Sequence, residues 1–411
     1  MLKISKILLL AVSVALVLTI FLGVNSSGVS AASTQDDGAY RQINVYSEVL
    51  RHIQTDYVED PNINSVTNGA LRGLLESLDA DSSYLTPADY KIYKAGRSGK
   101  AQVGINVSKR FGYATVVSVV PGSPADKSNL NNGDIIEAIG AQDTRDLSLA
   151  MIQLLLDGQP GTELTLSVVR PRKSAPEKVV MTRTITSLPP VSETMYENST
   201  ILYLKPVVLD HEHAQQIEQK LKAMSKSGNK KILLDLRNVA AGDMTEATRV
   251  ANFFLQTGTI AALEGQKVAK QTFTADPSKA LNATAPVVVL VNRGTAGPGE
   301  LVAAALADNK RAEIVGEKTF GEGAQQKTFE LPDGAALILS IAKYESPSGK
   351  KLQDEGVTPS VLVASNQEDT TAADEEDSPT ATPGATPAPK PSVTVDEQLT
   401  KALDLLKAKA A

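Results

Sequence analysis

The chain has no cysteine. Disulfides and thiolate metal sites are therefore excluded, and export to an oxidising compartment raises no redox difficulty. Tryptophan is also absent and aromatic residues make up 4% of the chain, a composition poorly suited to sugar-binding or aromatic-cage proteins. A basic excess is missing too: 41 Lys and Arg stand against 47 Asp and Glu, for a net charge of −6. With no basic face implied, nucleic acid is not an expected partner. His52, His211 and His213 are the only histidines. His211 and His213 fall at a predicted helix start, where positions i and i+2 do not share a face, and no third ligand has suitable spacing. They are expected to be solvated, with no metal and no other cofactor bound.

What remains is an ordinary globular composition, 42% apolar and 21% charged over 411 residues, enough for two or three domains. Lys3 and Lys6 precede an apolar run, Ile7 to Val24, and a small-residue site at Val29-Ser30-Ala31 follows. That pattern predicts an exported protein of the periplasm or cell envelope. Residues 1–31 are either a cleaved signal peptide or an anchor holding the chain in the inner membrane through residues 7–24, since eighteen apolar positions lie on the border between the two.

The most informative stretch is Val287 to Gln326. An apolar strand, Val287 to Val291, runs into an Asn-Arg-Gly turn, and a Gly/Pro loop opens the helix Leu301 to Ala307. A second strand near Ile314 and a glycine-flanked loop, Gly321 to Gly323, follow. Strand, sharp turn and helix N-terminus present a nucleophile beside backbone N–H donors. This turn contains no nucleophile at its centre.

Here the chain resembles the carboxyl-terminal processing peptidases, also called tail-specific proteases: exported serine endopeptidases with a PDZ domain and a Ser–Lys dyad. Their nucleophile loop reads close to N-x-G-S/T-A-S-A/S-S-E, followed by G-E-x-T/S-F/Y-G-K-G-x-x-Q. This chain has Asn292-Arg293-Gly294-Thr295-Ala296-Gly297-Pro298-Gly299-Glu300, then Gly316-Glu317-Lys318-Thr319-Phe320-Gly321-Glu322-Gly323-Ala324-Gln325-Gln326. The frame matches without a gap. Gly297 stands at the serine position, Glu322 at the lysine position, and Gln326 matches the accessory glutamine.

The resemblance implies an α/β multidomain protein: an amino-terminal helical segment (40–95), a β-rich PDZ domain with two helices (96–187) and a crotonase-like α/β peptidase core (188–365). The segment from Tyr40 to Tyr93 reads as helical, with Ile43, Val45, Tyr46, Val49, Leu50 and Ile53 giving an amphipathic face. Its end, Ser77-Leu78-Asp79 to Ser82-Ser83-Tyr84-Leu85, is similar to the family's "SLDPHSSYL". The family uses this segment structurally, often for dimerisation, so no chemistry is expected from it. In the PDZ domain, Val103, Gly104, Ile105, Asn106 and Val107 form the loop and strand expected to take a peptide carboxylate. Leu147 to Leu155 has helical spacing and Thr162 to Val169 alternates like an edge strand. Where the family has a glycine this chain has Gln102. Residues 366–392, acidic and then Pro/Thr/Ala-rich, read as a disordered linker. Residues 393–411 read as a carboxyl-terminal helix with Leu399, Leu403 and Leu406 on one face.

A Ser–Lys dyad needs a hydroxyl to attack, a neutral lysine to take its proton, and two N–H donors for the oxyanion. Gly297 has no side chain, Glu322 as an anion opposes the developing oxyanion, and Pro298 has no N–H where the family's second donor lies. The family's other donor belongs to a glycine loop after Asp235-Leu236-Arg237-Asn238, which here reads Val239-Ala240-Ala241-Gly242. Ala241 keeps an N–H but cannot adopt φ > 0 cheaply. The expected function is therefore that of a pseudoprotease. Its PDZ domain would capture protein or peptide C-termini, with an active paralogue and a homodimeric assembly as further partners. The alternative is a working endopeptidase with a rebuilt site, using Thr295 with Lys318 or Lys327, or a carboxylate route through Glu300 and Glu322. Thr295 is displaced by two residues along the turn, several ångströms from the serine position.

Overall fold

The computed structural model describes residues 36–95, 101–110, 112–171, 173, 175–227, 230–365 and 395–409. The leader (1–31) and the acidic linker (366–392) lie outside these residues. Two compact units divide the chain at Gly69/Ala70. The first contains the helix Asp36–Asp56 and the start of the helix Ile63–Glu76. Its predicted apolar face is present, but Tyr40, Ile43 and Val49 are each more than half exposed.

The second unit holds three sheets. Strands β1 (Ser83–Leu85), β2 (Ile105–Arg110), β3 (Tyr113–Val119), β4 (Ile135–Ile139), β5 (Gln142–Asp143), β6 (Glu163–Val169) and β7 (Glu177–Thr182) come first. They are followed by β8 (Ser192–Tyr196), β9 (Ile201–Lys205), β10 (Lys231–Asp235), β11 (Thr259–Glu264) and β12 (Gln271–Thr274). The last are β13 (Val287–Val291), β14 (Ala312–Gly316), β15 (Ala324–Glu330), β16 (Ala336–Glu345) and β17 (Val361–Leu362).

The PDZ sheet runs β2-β3-β4-β6-β7, with β5 beside β4. Thr162 to Val169 is thus not an edge strand. β6 is interior, because β7 pairs along its whole length; alternation reports one buried face and says nothing about neighbours. β2 is an edge. Two helices, Pro124–Lys127 and Leu149–Leu156, complete the domain. Proline at the start of the first helix and the Ser123 and Ser148 side chains as N-caps set where they begin.

The core is built on a sheet of order β17-β14-β13-β10-β9-β8, parallel except for β8. Both faces are covered, so its central strands are continuous apolar runs such as Ile232-Leu233-Leu234 and Val287 to Val291. Leu202, Leu234, Val289 and Ile314 face the helices His211–Ser227, Met244–Asn252 and Pro298–Asp308. On the other face, Ile201, Leu233, Val288 and Val315 meet Ala402 and Leu406 of the helix Glu397–Ala408. Arg237 donates to Asp396 at that helix's start, at 2.9 and 3.0 Å. Lys231 donates to the carbonyls of Leu406 and Lys409 at its end, at 2.8 and 2.6 Å. Cations at a helix C-terminus satisfy orphan carbonyls and oppose the helix dipole.

The third sheet, β1-β16-β11-β12 with β15 beside β16, is antiparallel. β1 falls inside the stretch expected to be wholly helical. Its burial comes from pairing with β16, more than 250 residues away in sequence (Ser83 with Ile338), a partner that periodicity cannot see. His213 is a second correction. It is 3% exposed, its Nδ1 lies 2.7 Å from Asp210 and its Nε2 3.0 Å from the Pro189 carbonyl, so it is locked against Asp210, which accepts from the His213 N–H at the helix start. His211 is exposed beside Glu246, as expected of a helix-start residue.

Leu406→Ala should destabilise the second unit by about 2–4 kcal/mol, because the side chain is fully buried against the sheet. Urea unfolding of the two proteins checks this.

Candidate functional site

The turn after β13 is held by its neighbour after β10. Asn292 Oδ1 accepts from the N–H groups of Asn238 (2.9 Å) and Gly294 (3.1 Å), and Asn292 Nδ2 donates to Asn238 Oδ1 at 2.9 Å. Thr295 is fully buried. Its hydroxyl donates to the Leu236 carbonyl at 2.8 Å and accepts from Asn292 N–H at 3.1 Å. That hydroxyl is a structural bolt. Lys318 lines a separate cleft of about 460 Å³ with Arg293, Asn132 and Phe320, while Lys327 sits over the Phe329 ring at 5.2 Å. The structure does not bring Thr295 and either lysine together.

Gly297 has φ +49° and ψ −109° at the entry to the helix Pro298–Asp308. A side chain there would be strained, the conformation in which strand-turn-helix elbows present nucleophiles. There is room for one: the nearest atom to an added Cβ is Met244 Cε at 3.8 Å. Pro298 follows as the first helical residue, its missing N–H costing the helix nothing.

Glu300 joins this turn to the glycine-flanked loop. It is completely buried and accepts from Gly297 N–H (2.9 Å), Gly321 N–H (2.7 Å), Glu322 N–H (2.8 Å) and the Thr319 hydroxyl. Burial pushes its carboxyl up to about 7 in spite of these four donors. The four donors, not this value, make it a poor candidate for proton transfer. Every acceptor position is spent on structure.

Glu322 is half-buried and accepts no hydrogen bond on its side chain among the described residues. Burial, then the negative charges of Asp81 and Glu300, push its carboxyl up to about 8. It lines a small cavity of about 120 Å³ with Asp81, Tyr93, Gln326 and, from the PDZ helix Leu149–Leu156, Leu149 and Gln153. Gln326 Nε2 donates to the Asp81 carbonyl at 2.7 Å, and the Asp81 carboxylate accepts from Gln353 Nε2 at 3.1 Å. Burial, with Asp79 adding to it, raises Asp81 to about 6. The roof is fixed by Met151 and Leu154, which pack on Leu85 and Ile338.

Asp81 is the residue that sequence reading missed, since the amino-terminal segment was expected to carry no chemistry. A signal existed: Asp81 occupies the histidine position of "SLDPHSSYL".

The loop at 241–242 follows from the residues present. Ala241 does not take positive φ; Gly242 does, at +134°. An added Cβ at Gly242 would lie 2.4 Å from the Leu209 carbonyl oxygen, so glycine is required at 242 and tolerated alanine at 241 follows. In the PDZ loop, Gly104 (φ +83°) is equally constrained, with Ser123 Cβ 2.2 Å from an added Cβ. Val103 and Val107 turn into the domain core, so their contribution to any ligand is backbone. Asn106 donates to Ser118 across the sheet at 2.7 Å, and Ile105 is only partly buried at the free edge. Gln102 exchanges backbone hydrogen bonds with Thr184 at 3.0 and 3.1 Å, which gives this position an extended role that needs no glycine.

A PDZ domain packed on a doubly covered α/β core of this topology defines the class. The profile of Peptidase family S41 matches residues 200–363, and that of the PDZ domain residues 93–169. A carboxyl-terminal-processing protease of Picosynechococcus sp. is 33% identical over 300 residues, covering 72% of this chain and 72% of the relative. Carboxyl-terminal-processing peptidase 2, chloroplastic, of Arabidopsis thaliana is 30% identical over 331 residues, covering 75% of this chain; the chain spans 63% of that relative's length. The solved structure of a photosystem II D1 C-terminal processing protease superposes with a TM-score of 0.65 at 24% identity, covering 78% of this chain and 92% of the other, which shows the shared fold. The chain belongs to the carboxyl-terminal processing peptidases of family S41.

Two outcomes are expected of these carboxyls. Glu300→Ala strips the acceptor from three backbone N–H groups and a hydroxyl, and should cost about 3 kcal/mol or more in denaturant unfolding. Glu322 carries the opposite sign. Its folded-state value is raised above the ordinary 4.5, so the folded protein holds a proton that the unfolded chain releases, and stability falls as pH rises from about 4.5 to 8. Asp81 and Glu300 act in the same direction. Glu322→Gln should therefore lose ~2–4 kcal/mol less than wild type between pH 5 and pH 9, measured by urea unfolding at both values.

Proposed function

We propose that this protein is a non-catalytic member of its family, an exported pseudoprotease that captures protein or peptide C-termini through its PDZ domain. The observation that carries this reading is the elbow at Gly297. Its strained backbone is retained, yet it presents no side chain, the next residue has no N–H, and the base position holds a carboxyl. Losing the nucleophile alone lowers kcat by roughly a millionfold in a serine protease. The buried, doubly bonded Thr295 hydroxyl speaks against the rebuilt-site alternative.

Capture would use the free edge of β2, along which an extended peptide adds a strand while N–H groups near Gly104 hold its carboxylate. The Lys3/Lys6 and Ile7-to-Val24 leader pattern supports a site in the periplasm or cell envelope. Co-assembly with an active paralogue, or with a second copy, would make captured chains available for cleavage or withhold them.

The test uses an apolar-tailed peptide with a free or an amidated C-terminus. Wild type should bind the free form at least ten times more tightly by fluorescence anisotropy, and mass spectrometry should show no cleavage. Gly297→Ser/Pro298→Ala/Glu322→Lys should cleave it, since position 297 has room for the hydroxyl. Cleavage by wild type that Thr295→Ala abolishes would sink the reading.

A further inference from the structure

We propose that Arg183 is the positioning residue that lets the PDZ loop accept a carboxylate, by cancelling the negative charge at the end of the helix beside that loop. This rests on the capture reading above and names the group that selects for a free C-terminus. Val103 and Gly104 are buried just before β2, and no acceptor among the described residues takes either N–H. Buried N–H groups are normally paired, so two orphaned donors here call for an acceptor from a ligand. A carboxylate supplies one.

The surroundings oppose that ligand. The helix Leu149–Leu156 ends at this loop, since Gly158 N–H donates to the carbonyl of Ala101, three residues before Gly104, at 3.0 Å. The last carbonyls of a helix have no partner within it and carry about half a negative charge. No glycine turns back to close them here. Asp157, the residue after the helix, is extended, at φ −86° and ψ 166°, and adds a carboxylate of its own. An anion brought to such an end is repelled.

Arg183 answers both charges. It follows β7, and its neighbour Thr184 exchanges backbone hydrogen bonds with Gln102 at 3.0 and 3.1 Å, which brings it to the loop. Its stem crosses Gly158, where an added Cβ would lie 2.9 Å from Arg183 Cδ. The guanidinium donates to the Leu155 carbonyl at 2.7 Å and the Leu156 carbonyl at 3.2 Å, the last two residues of the helix. It also donates to the Thr162 hydroxyl at 3.1 Å and the Glu163 carbonyl at 3.2 Å. The Asp157 charge acts on the same guanidinium. A planar fork of five donors serves several acceptors at once. These bonds go to the protein itself, so Arg183 acts through the helix end and not by gripping the ligand.

The full-length chain is titrated with the apolar-tailed peptide in its free and amidated forms, by fluorescence anisotropy at one fixed low ionic strength. Wild type should favour the free form at least tenfold. Arg183→Met keeps the stem and removes the charge. It should cut that preference about fivefold and leave the affinity for the amidated form within about twofold. Arg183→Lys should retain most of the preference, and Asp157→Asn added to Arg183→Met should recover it. Equal losses for both peptides in Arg183→Met would mean a purely structural role and overturn the proposal, as would a double variant that recovers nothing. Should Arg183→Met not fold, Asp157→Asn alone carries the test: it should tighten the free form and leave the amidated form unchanged, and equal effects on the two overturn the proposal. A wild type that does not distinguish the two peptides overturns the capture reading and this proposal with it. Failure of the proposal alone shows only in the variants, with the wild-type preference intact.

Discussion

One buried carboxylate organises this molecule's working region. Glu300 collects three backbone N–H groups and one hydroxyl from two loops that also meet through the Phe320 N–H, which donates to the Thr295 carbonyl at 2.9 Å. It fixes the Gly297 turn and the Gly321-to-Gly323 loop in a single rigid arrangement. A charge-competent group with no exposure survives only where its acceptors are used in full. The turn that carries Gly297 is thereby held in one conformation, at φ +49° and ψ −109°.

Around that joint, the parallel sheet supplies stiffness. Its central strands are apolar on both sides because helices cover both faces. The turns leaving β10 and β13 then emerge side by side at one sheet end, where Asn238 and Asn292 lace them together. The PDZ helix adds the roof. Through Met151 and Leu154 it rests on β1 and β16, so the PDZ domain also walls the cavity that holds Glu322.

Charge distribution inside the cavity has been inverted relative to a Ser–Lys machine. Two carboxyls of raised pKa line it: Glu322 at the lysine position and Asp81 at the histidine position of the amino-terminal segment. The proton retained by Glu322 near neutrality lowers the cost of burying it, which explains how such an arrangement persists in a folded chain.

Much was legible in the residues themselves. The strand and turn at 287–297, the PDZ pattern, and the identities at 297, 298 and 322 are local properties of the chain; the helix starts at Pro298, three residues before the expected Leu301, because Pro298 and Gly299 form its first turn. That Gly297, Pro298 and Glu322 stand at the family's serine, donor and lysine positions is likewise readable without coordinates. Other features were not local. The pairing of Ser83 with Ile338, the interior place of β6, the burial of His213 and the approach of Asp81 to Glu322 depend on contacts between segments far apart in sequence. Residue identity alone thus determined which side chains stand at 297, 298 and 322. Only the tertiary structure decided the environment of Glu322, because burial and pairing set the charge state of a carboxyl, and both are properties of the neighbours that the fold brings to it.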